Sequence, residues 1–332
     1  MPSRIAASPL VGTALIAARS AGVAALNAAT AASSSLRLRS STMDPLTVAV
    51  VRGGKVESRH RVHAARLDAS GELVDSRGDP ALVTYMRSAA KPVQALLLAR
   101  AYDDLAGEDV AIASASHHAR AEQVAAVREL LARAGAAEED LECGAVDGSR
   151  INHNCSGKHA GFLCVCAAHG WQFEGYRLPD HPLQRDVIAA VEEAASLGGG
   201  AIPVAVDGCG VPTFALPLER MAAMFGRLVR NELEGADRVA AAMTAHPALV
   251  EGPGSAATEV MQALPGAVAK GGAEGVLCVG LPDGGAIALK VEDGSSRPVL
   301  VAAARVLDLA DHGEDTIRNS RGEAVGSITI ES

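Results

Sequence analysis

Hydrophobic positions alternate with polar ones near both ends of the chain and fall at helical spacing in between. Leu46–Arg52 and Val56–Arg66 alternate Val with polar residues around Gly53-Gly54, which predicts a β-hairpin. The Ser70-Gly71 turn introduces a third short strand at Glu72–Asp75. A helix is predicted from Ser88 to Tyr102, with Pro92 in its first turn, where the missing N–H has no partner to lose. The mostly apolar run Val110–Ala115 reads as a short buried strand, and Ala121–Ala134 as an amphipathic helix. Ser156–Ala168, Leu183–Ser196 and Ala236–Ala245 also read as helices. So does Leu216–Arg230, with Met221, Met224 and Leu228 on one face. Ile202–Val206 is a strand, Val276–Val279 and Ala286–Val291 form a hairpin-like pair, and Val299–Leu309 is a late helix. Strands and helices in mixed order predict an α/β layered sheet flanked by helices, mixed or largely antiparallel.

Composition narrows the function classes. The protein has 332 residues, 48% of them hydrophobic and 21% charged, so it can bury a core without disulfides or metals. A net charge of −9 speaks against a nucleic-acid or anionic-membrane surface, and one Trp, three Tyr and four Phe are too few for base-stacking platforms. The six cysteines are dispersed, as expected of reduced thiols. Residues 1–43 contain four arginines, no acidic residue and much Ala and Ser. That is the composition of a transit peptide for mitochondrion or plastid; a secretory reading is interrupted by Arg19, and a mis-called start ahead of Met43 explains it equally well. With the segment absent or inert, the expected location is cytoplasmic. Residues 44–332 are expected to form one catalytic domain, with no uncharged apolar run long enough to span a bilayer.

The cations single out candidate chemistry. Of the 30 Lys and Arg residues, only five are lysines: Lys55, Lys91, Lys158, Lys270 and Lys290. Arg keeps its proton in a protein, whereas a buried Lys can become a base or a ligand. In Arg87-Ser88-Ala89-Ala90-Lys91-Pro92, the Ser and Lys fall on one face of a helix start, where a desolvated amine can activate a hydroxyl. Ser-x-x-Lys also arises by chance in many helices, and Ser is a common N-cap. Asn154–Gly161 (NCSGKHAG) crowds Cys155, Lys158 and His159 around a turn, and Cys209 sits between two glycines in Val206–Ala215 (VDGCGVPTFA). Two thiolates, a nitrogen and a water would suit tetrahedral zinc, and spacing alone nominates His159 as the nitrogen; two inert buried thiols fit the same spacing. In Ala269–Gly275 (AKGGAEG), glycines would let backbone N–H groups approach a ligand, with Lys270 beside a carboxylate. Ser114, Ser116, His117 and His118 close the predicted strand, and a Ser/His/Asp triad through His117 stays open, although no Gly-x-Ser-x-Gly elbow is present.

Together these blocks resemble the Rhizobium-type L-asparaginases, the asparaginase II family. Arg87-Ser88-x-x-Lys91-Pro92, the opening Val51–Ser58 and His181-Pro182-Leu183-Gln184 match it in the same order, and the resemblance spans residues 44–295. It implies an architecture like that of serine β-lactamases and glutaminases, a homodimer, and hydrolysis of L-asparagine to L-aspartate and ammonia. It further implies Ser88 as nucleophile, Lys91 as its base and Ser116 as a second catalytic hydroxyl, with zinc held by Cys155, Lys158 and Cys209. Arg87, Asp207 and Lys270 would lie near the substrate. The lysine ligand displaces the preference for His159.

The sequence departs from the family's pattern twice. After Ser-His the family carries a small polar residue, Gly and Glu, where this sequence reads His118-Ala119-Arg120. Its Arg-x-Asp segment is here Gly254-Ser255-Ala256-Ala257-Thr258. Both bear on substrate preference. They leave room for a catalytically weakened zinc-binding homologue, or for a related acylase acting on another amide.

Overall fold

A computed structural model of the protein describes residues 43–309 and 314–331; the expected targeting segment or mis-called start lies outside them, apart from Met43. The predicted hairpin forms from β1 (Leu46–Arg52) and β2 (Lys55–Leu67) around Gly53-Gly54, in register with Val48 opposite His60. Both glycines have positive φ, 51° and 75°, which a β-branched residue would resist there. β3 (Leu73–Arg77) pairs with the far half of β2.

On the other flank of β2, β9 (Ala286–Val291), β8 (Val276–Gly280) and β7 (Val268–Gly272) continue the sheet, with Lys270 opposite Cys278. Two strands that the pattern did not disclose, β10 (Glu314–Arg318) and β11 (Ala324–Ile330), complete it beside β1. The strand order is β10-β11-β1-β2-β9-β8-β7, every pairing antiparallel. All six residues of β9 are buried, because helices cover the sheet on both faces. The α/β layered, antiparallel architecture expected from the pattern is therefore the one adopted.

Helices gather beyond the β7 edge. A 3₁₀ turn (Arg87–Ala90) runs into α1 (Lys91–Ala101), with Pro92 in its first turn as predicted. The apolar run at Val110–Ala115 is not a strand: Gly107–Ala113 is helical (α2). Glu108 and Asp109 occupy its positive N-terminal end, and Asp109 Oδ2 accepts the Ala106 N–H at 3.2 Å, so local capping favours a helix over an apolar run with no partner strand. α3 (Ala121–Ala134) has the predicted bounds and stops at Gly135, whose φ is 65°. α4 (Ser156–His169) and α5 (Pro182–Ala194) follow, the latter capped by His181, whose Nδ1 accepts the Leu183 N–H at 3.2 Å. β4 (Val83–Tyr85), β5 (Val204–Val206) and β6 (Pro212–Pro217) make a small second sheet in the order β4-β6-β5. The helix predicted from Leu216 starts at Leu218 instead, because Leu216 and Pro217 belong to β6.

That helix, α6 (Leu218–Val229), packs on β2, β8 and β9. α7 (Ala236–Ala245), the single turn α8 (Pro247–Val250) and α9 (Ala256–Ala263) lead back to β7, and α10 (Val299–Leu307) lies against β1, β9 and β11. The core is built of Ala, Val and Leu with few aromatics, and Lys91 and Lys270 are among its largest fully buried side chains. Burying an ammonium without partners is costly, so both lysines must find them.

Candidate functional site

Ser88 stands on the 3₁₀ turn between β4 and α1, at the junction of the main sheet and the helices. Arg87 adopts φ 51°, a left-handed conformation that costs a non-glycine residue about 1–3 kcal/mol. Two contacts hold it. Arg87 Nε donates to Asp207 Oδ1 at 2.7 Å, and β7 presses on the turn from the other side. A Cβ on Gly272 would meet Met86 O at 2.5 Å and Ala89 N at 3.3 Å. The second glycine of AKGGAEG thus serves the contact between strand and turn, where the sequence had suggested close approach to a ligand.

The geometry around Lys91 differs from the Ser-x-x-Lys pair expected. Lys91 Nζ donates to Ala115 O at 2.5 Å, to Ser116 Oγ at 3.0 Å and, more weakly, to Asn154 O at 3.4 Å, with no hydrogen bond to Ser88 Oγ. Ser116 is also reached from β7, by Lys270 Nζ at 2.9 Å. One hydroxyl therefore sits between two buried amines. Burial, foremost, lowers Lys91 to about 8, with the nearby Lys270 and Lys158 charges adding to it against the Cys155 thiolate. Lys270, with a side chain 0% exposed, forms an ion pair with Glu251, whose Oε1 also accepts the Gly271 N–H at 3.1 Å. Glu251 was not among the predicted site residues. Nothing local marks it, because the contact spans the interval from the end of α8 to β7.

His117 does not complete a triad. Its Nε2 lies 2.7 Å from Ser156 Oγ, its Nδ1 accepts the Ala119 N–H at 3.1 Å, and burial together with the Lys91 charge lowers it to about 4. Since Ser156 Oγ donates to Ile151 O at 2.7 Å, the hydroxyl accepts from the Nε2–H of a neutral ring. Both nitrogens are occupied in tying the 117–119 turn to the start of α4.

The two cysteine motifs meet although 54 positions separate them in the sequence. The Cys155 and Cys209 thiols hydrogen-bond to one another, and Lys158 Nζ lies 3.1 Å from Cys209 Sγ. All three are buried. The Cys209 hydrogen bond and the neighbouring lysine charges draw Cys155 toward thiolate, while accepting that role leaves Cys209 raised. His159 points elsewhere: its Nδ1 accepts from the Tyr176 hydroxyl, which itself accepts the Glu142 N–H. The donor set at the thiols is thus S, S and N(Lys). No three His, Cys, Asp or Glu side chains among the described residues form a metal-binding group. Gly157 lets α4 reach this position, since a Cβ there would stand 2.2 Å from Ile112 O.

A cleft of about 660 Å³ opens over Ser88, Ser116 and Asn154. Its walls come from the loop before α9, from β7–β8 and from the start of α10. Of the residues expected near substrate, Arg87 and Asp207 pair with each other outside this wall, and Lys270 lies behind Glu251 and Ser116. Both departures from the family's pattern border the cleft: His118 and Ser255 line it, and Ala119 takes φ 53°, a conformation better suited to glycine.

Two solved structures of Mglu are similar to this protein. The native form is 16% identical with a TM-score of 0.37, covering 75% of this chain and 64% of that one. The glutamate form is 15% identical with a TM-score of 0.36, covering 75% and 60%. The chain thus spans less than two thirds of the length of these neighbours. No curated protein matches the sequence. The L-asparaginase II family matches residues 48–329, a span that takes in the Ser88 turn, both cysteine motifs, Glu251 and β7. The chain belongs to the L-asparaginase II family.

Proposed function

We propose that the protein is a serine-dependent amidohydrolase that cleaves the terminal carboxamide of asparagine, releasing ammonia and leaving an aspartyl carboxylate. The observation that carries this reading is the placement of Ser116 Oγ between Lys91 and Lys270 on the wall of a cleft that also presents Ser88. Family membership supplies the reaction type.

In this reading Ser88 Oγ attacks the amide carbon and Lys91 is the base. A hydroxyl has one proton to donate. Lys270, paired with Glu251, donates to Ser116; once Lys91 has lost its proton, Ser116 turns its own proton toward the Lys91 amine, the reverse of the bond the ammonium makes. The Ser88 proton passes through Ser116 to Lys91, which returns it to the departing ammonia; water then hydrolyses the ester with the same groups in reverse. The direct contact between Lys91 and Ser116 favours one second reading, in which Ser116 itself attacks.

Ser88→Ala and Ser116→Ala variants test the assignment. An electrophilic asparagine analogue is expected to label the wild type at Ser88 and to leave Ser88→Ala unlabelled, with ammonia release lost. Labelling at Ser116 by peptide mapping would establish the second reading instead.

Cys155, Cys209 and Lys158 fit a zinc ion chemically, offering two soft sulfurs and an amine already converged and buried. Bound there, zinc would supply a positive charge beside Asp207 and fix the β5–β6 loop that carries Asp207, the ion-pair partner of Arg87. The amine must shed its proton to bind. Without metal, burial opposes the Lys158 charge but the two thiols outweigh it, so zinc competes with a proton held firmly.

A further inference from the structure

A free amino acid brings an α-carboxylate to the cleft, and the cations beside the two serines are already engaged. Arg87 pairs with Asp207, Lys270 with Glu251, and Lys91 donates to Ala115 O and Ser116. Lys270 neutralises Glu251 in turn, so that pair presents no net charge to a ligand. No arginine or lysine side chain lines the cleft itself. Two further arginines lie beside wall residues. Arg297 follows Ser296 just before α10, its side chain in no hydrogen bond or ion pair among the described residues. Arg120 lies over Gly252, the residue before Pro253 of the wall. A Cβ built on Gly252 would stand 3.9 Å from Arg120 Nη1 and 3.4 Å from Cδ2 of His118, which lines the cleft.

A fixed turn holds Arg120 at this rim. Gln123, fully buried, accepts the N–H groups of His118 and Arg120 through Oε1 at 3.0 and 3.2 Å. Its Nε2 donates to Ala248 O and Leu249 O, both at 3.2 Å, which ties the turn to α8. The left-handed Ala119 between them, φ 53°, brings both neighbours onto Gly252. The guanidinium makes no hydrogen bond among the described residues. Its ion-pair partner is Glu122 Oε1 at 3.9 Å, with the two side chains 46% and 58% exposed, an attraction that solvent screens heavily. Nor does α3 call for an arginine. Arg120 is its N-cap, where a side-chain oxygen would satisfy a free N–H and where a cation meets the positive end of the helix. The same position falls within His118-Ala119-Arg120, where this sequence departs from the family's pattern.

We propose that Arg120 sets the cleft's preference for a free amino acid, its guanidinium receiving the substrate's α-carboxylate at the rim while the carboxamide reaches Ser88. This inference rests on the amidohydrolase reading and names the residue that recognises the end of the substrate away from the scissile bond. A planar guanidinium suits a carboxylate in a bidentate bond, and a neutral amide at the same position supplies neither the charge nor the fork. The α-carboxylate takes no part in the bond changes. Its contact is made equally by bound substrate and transition state, so it belongs to KM and not to kcat.

The test measures ammonia release by the full-length protein from three amides, for the wild type, Arg120→Gln, Arg120→Lys and Arg297→Gln. The amides are L-asparagine, succinamate, which lacks the α-amine, and 3-aminopropanamide, which lacks the α-carboxylate. Expected in Arg120→Gln is a rise of about tenfold in KM for L-asparagine and for succinamate, with kcat within about twofold. The ratio of kcat/KM for L-asparagine to that for 3-aminopropanamide should fall by the same factor, and Arg120→Lys should recover part of it. Calorimetry supplies an arm that needs no turnover: adding Arg120→Gln to Ser88→Ala should raise the Kd of L-asparagine about tenfold. A purely structural role for Arg120 would slow all three substrates alike and leave the ratio unchanged, which overturns the inference. A shift carried by Arg297→Gln in its place overturns it as well. Ammonia from none of the three, with Ser88 unlabelled by the electrophilic analogue, would overturn the amidohydrolase itself, and the calorimetric arm would still decide the role of Arg120.

Discussion

Lys91 shows most directly how position sets chemistry at the scale of one residue. An exposed lysine titrates near 10.4 and is almost wholly protonated at neutral pH. At 1% exposure, with its amine on two carbonyls and a hydroxyl, Lys91 falls to about 8. In the proposed mechanism the neutral amine is the active form. The sign follows: kcat/KM is expected to fall as pH drops through about 8 and to level off above it. Lys91→Met should remove that ionisation and cost about 10²–10⁴-fold in kcat, read from pH–rate profiles of both proteins. The sequence singled out Ser88 and Lys91 because scarce lysines and a Ser-x-x-Lys spacing are local signals, and Ser116 through its Ser-His segment and the family resemblance. It did not disclose which hydroxyl the amine meets. Position i+3 places Ser88 and Lys91 on one face of a regular helix, but Ser88 lies on a 3₁₀ turn and α1 begins only at Lys91, so the amine is aimed at a loop after α2. Glu251 was hidden for the same reason, since its partner lies on a different element.

Among the elements, β7 and the Ser88 turn act as one unit. Gly272 lets the strand touch the turn's backbone, and the turn keeps a left-handed Arg87 in place. Gly272→Ala is expected to cost about 1–3 kcal/mol and to displace Ser88. A shift of the proposed nucleophile by about 1 Å can cost on the order of 10²-fold in rate, so kcat should fall further than the change in Tm suggests. Calorimetry with ammonia assays on one preparation checks both. Pattern reading succeeded where an element carried its own stop signals, as in α3 with Gly135 and β1–β2 with Gly53-Gly54. It failed at Val110–Ala115, because a short apolar run suits strand and helix alike until its capping acids are weighed. β10 escaped notice because its residues, Glu-Asp-Thr-Ile-Arg, are mostly exposed, and partnership with β11 rather than burial makes them a strand.

For the whole molecule, the thiol cluster ties α4 to the loop between β5 and β6, two segments brought together only by folding. If zinc joins them, chelation should lower Tm and zinc should restore it. A ligand at 100 times its Kd contributes about 2.7 kcal/mol. Cys209→Ser is expected to lose metal, measured by native mass spectrometry, and to become insensitive to chelator. The architecture was legible from alternating strands and amphipathic helices. The arrangement of the cleft was not, since Glu251, Ser255, Val276 and Val299 converge on it from separate elements and none carries a motif of its own.

The burial of lysine has a practical corollary for chemical handling. Four of the five lysines are buried, Lys91, Lys158, Lys270 and Lys290, which leaves Lys55, the first residue of β2 after the Gly53-Gly54 turn, as the exposed one. Amine-directed reagents such as succinimidyl esters should therefore couple to the described residues at one solvent-facing point. That point sits on a hairpin tip outside the cleft wall, so a dye, a support or a polymer can be attached there in a defined orientation without reaching the amines that flank Ser116.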